Sequence, residues 1–351
     1  MISLIYMEMG FRLAAHFFMN PGSMHIMSKV SLQTYDTYSA FMGHPFLGYT
    51  RRPNVRLDGS EDIHPIYNYN KYGFNGLEVD YIKPKGTIRI AAMGGSTTAR
   101  GYPEKLQVLL DAQYTENKIE VLNFGISGWS SAHTMVNYLL NVVAFDPDYI
   151  VLHQGWNEET VRNVPGVNFR PDYSHVYSFY REPIIWDRYL LRTSLIYRYI
   201  LSKLDRTPPW AYLEQSTTLT NRERTNLDFS NLEELRSFER NTKTVIDHAR
   251  NLGIKVVLTT IPYSTDEKLA HFYMHTNIDQ CNEVTSSIAT REITFVDLDS
   301  MMTGKMNDLF IDLGHLNEAG MEFKAKEIGD AILFDLKNDT SNTNPLSSIQ
   351  P

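Results

Sequence analysis

Residues 88–98 read IRIAAMGGSTT: a nearly unbroken apolar run that enters two glycines and a serine. A half-exposed strand would alternate apolar with polar residues, so a continuous run predicts a strand buried on both faces. Four more runs of this kind follow, IEVLNF at 119–124, YIVLHQ at 149–154, IKVVLTTI at 254–261 and ITFVDL at 293–298. Between and after them, helical patterns occupy 103–115, 131–144, 231–251, 266–290 and 317–337, and Ser230-Asn231 gives the third a cap signal. Strand alternating with helix predicts a doubly wound, three-layer α/β/α domain around a five-stranded, mainly parallel sheet.

The connection from the third run to the fourth spans about 100 residues, far more than one crossover helix needs. An insertion over 160–230 is therefore expected. It is rich in aromatics and arginines, Tyr173, Tyr177, Tyr180, Arg181 and Trp186 among them, which suits a lid over a substrate as well as a plain helical subdomain. Residues 40–85, with HPFLGYTRRPN and YNKYGFNG, read as irregular extended structure with turns, packed on the core domain of 86–337. The polar stretch 338–351 reads as a disordered tail.

At the other end, residues 1–20 read as an amphipathic helix. Glu8, Arg12 and His16 recur every four residues along one face, and the rest is apolar. These charges interrupt it before the roughly 20 residues a bilayer span needs, and no cleavage-site pattern follows. Three readings stay open: peripheral membrane contact through residues 1–19, packing on its own domain, or the end of a truncated anchor. The expected location is the cytoplasm or a membrane surface.

Composition excludes several classes. At 42% hydrophobic and 21% charged the chain of 351 residues is not disordered throughout. With 33 basic against 41 acidic side chains its net charge of −8 has the wrong sign for binding nucleic acid. One cysteine, Cys281, excludes an intramolecular disulfide and a thiolate zinc cluster.

In open α/β sheets ligands gather outside the carboxyl ends of the strands. The first strand ends in Gly94-Gly95-Ser96-Thr97-Thr98, without the lysine of a P-loop or the glycine spacing of a dinucleotide site. The second leads to Gly125-Ile-Ser-Gly128-Trp129, the third to Gly155-Trp156-Asn157-Glu158, and the fifth to Asp312-Leu-Gly-His315. Each has a bland reading as a helix cap or turn. Together they supply what ester cleavage at serine requires: a nucleophile, a base, a group to orient the base, and oxyanion donors.

These blocks, in this order, resemble those of the SGNH or GDSL hydrolases, esterases and lipases named for a Ser, Gly, Asn and His in separate motifs. Ser96 and Gly128 are 32 residues apart, Gly128 and Asn157 are 29 apart, and the Asp-x-x-His is the most specific element. The resemblance covers about 86–160 and 250–335 and implies a flavodoxin-like fold. It implies Ser96 as nucleophile, His315 as base and Asp312 as its orienter, with the Ser96 amide, Gly128 and Asn157 as oxyanion donors. Two departures stand out: the family's Gly-Asp-Ser is here Gly94-Gly95-Ser96, and its Gly-x-Asn-Asp is Gly155-Trp156-Asn157-Glu158. The first is shared by a bacterial branch in which segments like Leu47-Gly48-Tyr49 and Gly73-Phe74 precede the core. Members of that branch often carry a membrane helix ending in a stretch like Glu8-Met9-Gly10-Phe11-Arg12.

The expected function is a cofactor-free serine esterase acting on short-chain O-acyl, chiefly O-acetyl, groups of a saccharide or other small ester. The alternatives are an O-acyltransferase with the same triad and a non-catalytic carbohydrate-binding relative. Trp129 and Trp156 flank the oxyanion blocks and are expected to line the acyl or sugar pocket. No metal is expected: His271 and His275 lack the glutamate of an H-E-x-x-H motif, and packing accounts for His133 and His153.

Overall fold

A computed structural model of the chain describes residues 2–18, 41–57, 67–76, 78–162, 169–173, 190, 193–203, 232–266 and 273–342. Its centre is a sheet of five strands, β5 (Thr87–Gly94), β6 (Lys118–Asn123), β7 (Tyr149–His153), β8 (Lys255–Thr259) and β9 (Thr294–Val296). Their spatial order is β6-β5-β7-β8-β9 and every pair is parallel. This is the flavodoxin-like arrangement, with the order reversing between the first strand and its neighbours.

Alternation along the strands splits the core in two. Ala91, Met93, Ile150, Leu152, Val256 and Leu258 face one way and meet α4 (Ser131–Leu140), α7 (Leu232–Asn251) and the end of α8 (Tyr273–Ile288). Ile90, Ala92, Tyr149, Val151 and Val257 face the other way, onto α3 (Tyr102–Gln113) and α10 (Glu318–Asn342). Between these run the short helices α2 (Ser96–Ala99), α5 (Glu158–Arg162), α6 (Leu195–Lys203) and α9 (Leu298–Met302). Burial on both faces is why these strands carry so few polar residues.

Two features differ from the reading of the sequence. Residues 40–85 contain two antiparallel pairs, β1 (Phe41–His44) with β2 (Gly48–Arg51) and β3 (Arg56–Leu57) with β4 (Tyr67–Asn68). The first turn is organised by His44, whose Nδ1 accepts the amides of Phe46 at 3.2 Å and Leu47 at 3.1 Å. Helix α10 continues through 338–342, residues expected in the tail, because extending an existing helix by weak formers costs only tenths of a kcal/mol each, about 0.5. Residues 343–351 lie outside the described residues, as do Tyr177, Tyr180, Arg181 and Trp186 of the insertion.

Helix α1 (Ile2–Phe18) turns Glu8, Phe11 and Ala15 toward α6, while Arg12 and His16 are exposed. Glu8 accepts the Leu195 amide at 2.6 Å and the Ser194 hydroxyl at 2.9 Å, and Arg12 donates to the Thr193 carbonyl at 2.9 Å, so α1 caps α6. Phe11 and Ala15 pack on Leu195 and Tyr199, while Ile5, Tyr6, Met9, Leu13 and Phe17 are exposed. Among the described residues no helix is long and apolar enough to cross a membrane.

At the amino end of β5, Arg89 is fully buried inside what the sequence presents as an apolar run. Its guanidinium pairs with Glu120 at 2.8 Å and donates to the carbonyls of Asp80 (2.9 Å), Tyr81 (3.0 Å) and Phe145 (2.7 Å). One cation thus fastens the segment before β5 and the turn before β7 to the sheet. Replacing Arg89 by Met should lower stability by about 3 kcal/mol, because three carbonyls lose their donor at roughly 1–3 kcal/mol each while Glu120 keeps Lys118 at 2.8 Å. Urea unfolding checks this, and a loss below about 1 kcal/mol would mean that these carbonyls find other donors.

Candidate active site

The carboxyl ends of β5, β6 and β7 present three adjacent loops. Gly94 has φ +154° and lies so close to β7 that a Cβ there would stand 2.1 Å from the His153 carbonyl oxygen. Only glycine permits this approach, and it turns the chain sharply enough to start α2 at Ser96. The next loop is held to the end of β5 by the Ile126 amide, which donates to the Gly94 carbonyl at 3.1 Å.

Ser96 is nearly buried, and its Oγ lies 2.8 Å from His315 Nε2. His315 Nδ1 lies 2.7 Å from Asp312 Oδ2 and 3.0 Å from Oδ1. Asp312 Oδ1 also accepts the amides of Gly314 at 3.0 Å and His315 at 2.8 Å, so one carboxylate builds the turn and holds the ring. Partial burial pushes the Asp312 carboxyl up, but the His315 hydrogen bond and charge, with the two amides, outweigh it and hold it down to about 2. An ionised Asp312 can only accept, so Nδ1 carries the proton and Nε2 is left to accept the Ser96 hydroxyl. The arrangement can deprotonate a serine attacking a carbonyl carbon.

Asn157 Nδ2 donates one hydrogen to the Trp129 carbonyl at 2.9 Å and keeps a second for another acceptor. It sits over the Ser96 turn: a Cβ on Gly95 would lie 2.3 Å from it. Gly128 has φ +81° and lies beside the Tyr49 hydroxyl, which donates to the Ser127 carbonyl at 2.6 Å. The structure therefore gathers Ser96, Gly128, Asn157, Asp312 and His315 at one edge of the sheet.

The two tryptophans part company. Trp156 is half-buried against Gly314, its ring 6.0 Å from that of His315. Trp129, expected in the pocket, is instead 2% exposed: it packs on Leu47, Tyr49 and Ile126 and stacks on His133. Its side chain serves the core and its backbone carbonyl serves Asn157. His133 and His153 are buried and packed as expected. Burial holds His133 down to about 3, and His153 Nδ1 pairs with Thr259 Oγ1 at 2.7 Å. His271 lies outside the described residues and His275 stacks on Tyr263. Among the described residues no group of three acidic, histidine or cysteine side chains could hold a metal.

Sequence reasoning missed Lys324. It is fully buried on α10, its Nζ donating to the Thr97 carbonyl at 2.9 Å and lying 4.1 Å above the Tyr102 ring. Burial pushes its ammonium far below the usual lysine range. In sequence it is one more lysine in a helix rich in charge; no local signal marks it as the prop under the Ser96–Thr98 turn.

The chain belongs to the GDSL-like lipase/acylhydrolase family, whose model matches residues 90–323. It is a serine hydrolase acting on ester bonds. No curated protein matches it in sequence. Among solved structures it is similar to an acetylxylan esterase from Geobacillus stearothermophilus at 19% identity and a TM-score of 0.42, covering 70% of this chain and 94% of that one. It is also similar to a lipase/acylhydrolase from Enterococcus faecalis at 15% identity and a TM-score of 0.41, covering 71% and 96%.

Replacing Gly95 by Ala forces the Asn157 amide away from the turn, since the Trp129 carbonyl, 3.2 Å from the new Cβ, blocks the other side. If that amide stabilises an oxyanion, kcat should fall about 10²-fold, in line with the loss of one such donor. Steady-state hydrolysis of an aryl acetate measures this, with melting temperature as the control for folding. Unchanged kcat would remove Asn157 from the reaction.

Proposed function

We propose that this enzyme removes short-chain O-acyl groups, O-acetyl first among them, from a saccharide through an acyl-enzyme on Ser96. The observation that carries the mechanism is the 2.8 Å contact between Ser96 Oγ and His315 Nε2, continued to Asp312. As Oγ bonds to the ester carbon, its proton passes to Nε2 and the carbonyl oxygen takes the negative charge. The amides of Ser96 and Gly128 and the side chain of Asn157 serve as the donors that receive it. Collapse breaks the bond to the sugar oxygen, which leaves with the proton from His315. Water then attacks the acyl-enzyme, gives its proton to His315, and releases the acid and Ser96.

The half-buried face of Trp156 beside His315, and the aromatic content of the insertion, support a saccharide ester over a long acyl chain. If a sugar hydroxyl replaces water in the second half, the same residues transfer the acyl group. Product analysis with an acylated saccharide donor and a free saccharide acceptor separates the two: free acid alone means hydrolysis. A non-catalytic carbohydrate-binding role is disfavoured, because a binder has no use for a serine, histidine and carboxylate in one hydrogen-bonded line.

Ser96→Ala should abolish turnover of an aryl acetate and labelling by a fluorophosphonate probe while the melting temperature stays near that of the parent. Full residual turnover would show that another residue attacks.

The pH profile follows from the same chemistry. Only neutral His315 accepts the Ser96 proton, so kcat/KM should rise with pH along a single acid limb. Asp312, held down to about 2, adds no second limb above that pH. A profile with no acid limb at all would contradict His315 as base.

A further inference from the structure

Tyr173 lies at the near end of the long connection between β7 and β8, in the described segment 169–173. Its φ is +62°, a left-handed conformation that a bulky residue keeps only when its surroundings demand it. The side chain is 1% exposed and packs with Phe169 on Ala132 and Val161. A phenylalanine would fill the same space. The hydroxyl makes the difference, donating to Glu158 Oε2 at 2.6 Å.

Glu158 is itself 1% exposed, and its other oxygen accepts the Ser131 amide at 2.5 Å. Ser131 Oγ lies 3.3 Å from the Tyr173 hydroxyl and accepts from Asn241 Nδ2 at 3.1 Å. One carboxylate therefore joins three parts of the chain: the loop that carries Asn157, the loop that carries Gly128, and the start of the insertion. Burial pushes the Glu158 carboxyl up, and the Tyr173 and Ser131 hydrogen bonds and the Arg162 charge oppose it. Removing one donor unbalances a buried carboxylate directly beside Asn157.

We propose that Glu158 and Tyr173 are positioning residues, which hold the Asn157 and Gly128 loops at the spacing the oxyanion needs and tie that spacing to the anchored start of the insertion. This rests on the reading of Ser96 as nucleophile and of Asn157 and Gly128 as oxyanion donors. The position at which the family carries aspartate, filled here by the longer Glu158, would then be the point where the insertion reports to the site. Neither side chain needs to touch the substrate.

The test compares Tyr173→Phe, Glu158→Gln and the double variant on an aryl acetate, with kcat normalised to sites titrated by a fluorophosphonate and melting temperatures measured alongside. Tyr173→Phe should lower kcat about tenfold, the effect of one charge-assisted hydrogen bond, with KM changed less than about twofold. The fluorophosphonate inactivation rate should fall in parallel. The double variant should be no slower than Glu158→Gln alone, because the two residues act through one bond. Full kcat per titrated site in Tyr173→Phe, whatever its melting temperature, would overturn the proposal, and so would additive losses. Should Glu158→Gln fail to fold, Tyr173→Phe decides alone. A Ser96→Ala enzyme that turns over would overturn the nucleophile itself; an inactive Ser96→Ala beside a fully active Tyr173→Phe overturns only the positioning role.

Discussion

The pairing of β5 between β6 and β7 governs where everything else can go, because parallel strands in register must release their loops on the same edge. Ala92 pairs with Asn123 and Gly94 with His153, so the turn at Gly94 emerges between the two neighbouring loops. The ladder continues past the strands through the bonds from Phe124 to Ala92 and from Ile126 to Gly94. The Gly128 loop is thereby carried across the Ser96 turn by main-chain bonds alone. A hydrophobic core without this register would bury the same side chains and scatter the site.

Buried polar groups then fix each end of the sheet. At the amino end, Arg89 gathers three carbonyls and Glu120. At the carboxyl end, Lys324 props Thr97, Glu158 joins Ser131 to Tyr173, and Arg162 pairs with Glu234 at 2.7 Å while donating to Asn277 and Gln280. Burying such groups is costly unless they are hydrogen-bonded, and apolar residues of the same volume commonly hold a fold as well. Their concentration behind the loops that carry Ser96, Gly128 and Asn157 suits positions that must be held to fractions of an ångström rather than merely filled.

Segments outside the sheet buttress the same edge. Tyr49 and Arg51 of β2 reach Ser127, and β2 brings them there through the turn built on His44. The Glu8 and Arg12 pair of α1 is spent on the start of α6, which leaves a row of large apolar side chains on the outer face.

Much of this was legible in the sequence. Continuous apolar runs identify strands buried on both faces, strand–helix alternation makes the sheet parallel, and a parallel sheet sends the residues after Gly94, Phe124, Gln154 and Leu298 to one side. From these facts, together with the resemblance of the strand-end blocks to the SGNH motifs, Ser96, Gly128, Asn157, Asp312 and His315 could be named as neighbours. The two short hairpins, the burial of Trp129, and the roles of Lys324, Glu158 and Tyr173 were not. Each of these depends on which side chains from distant parts of the chain come into contact, and no local periodicity encodes that. The sequence by itself determined the layers and which residues end up on the reactive edge, because hydrophobic period and chain direction are local properties. Only the tertiary structure decided which tryptophan faces the site and which buried charges brace it, because burial and hydrogen-bond partners are set by the packing of segments far apart in sequence.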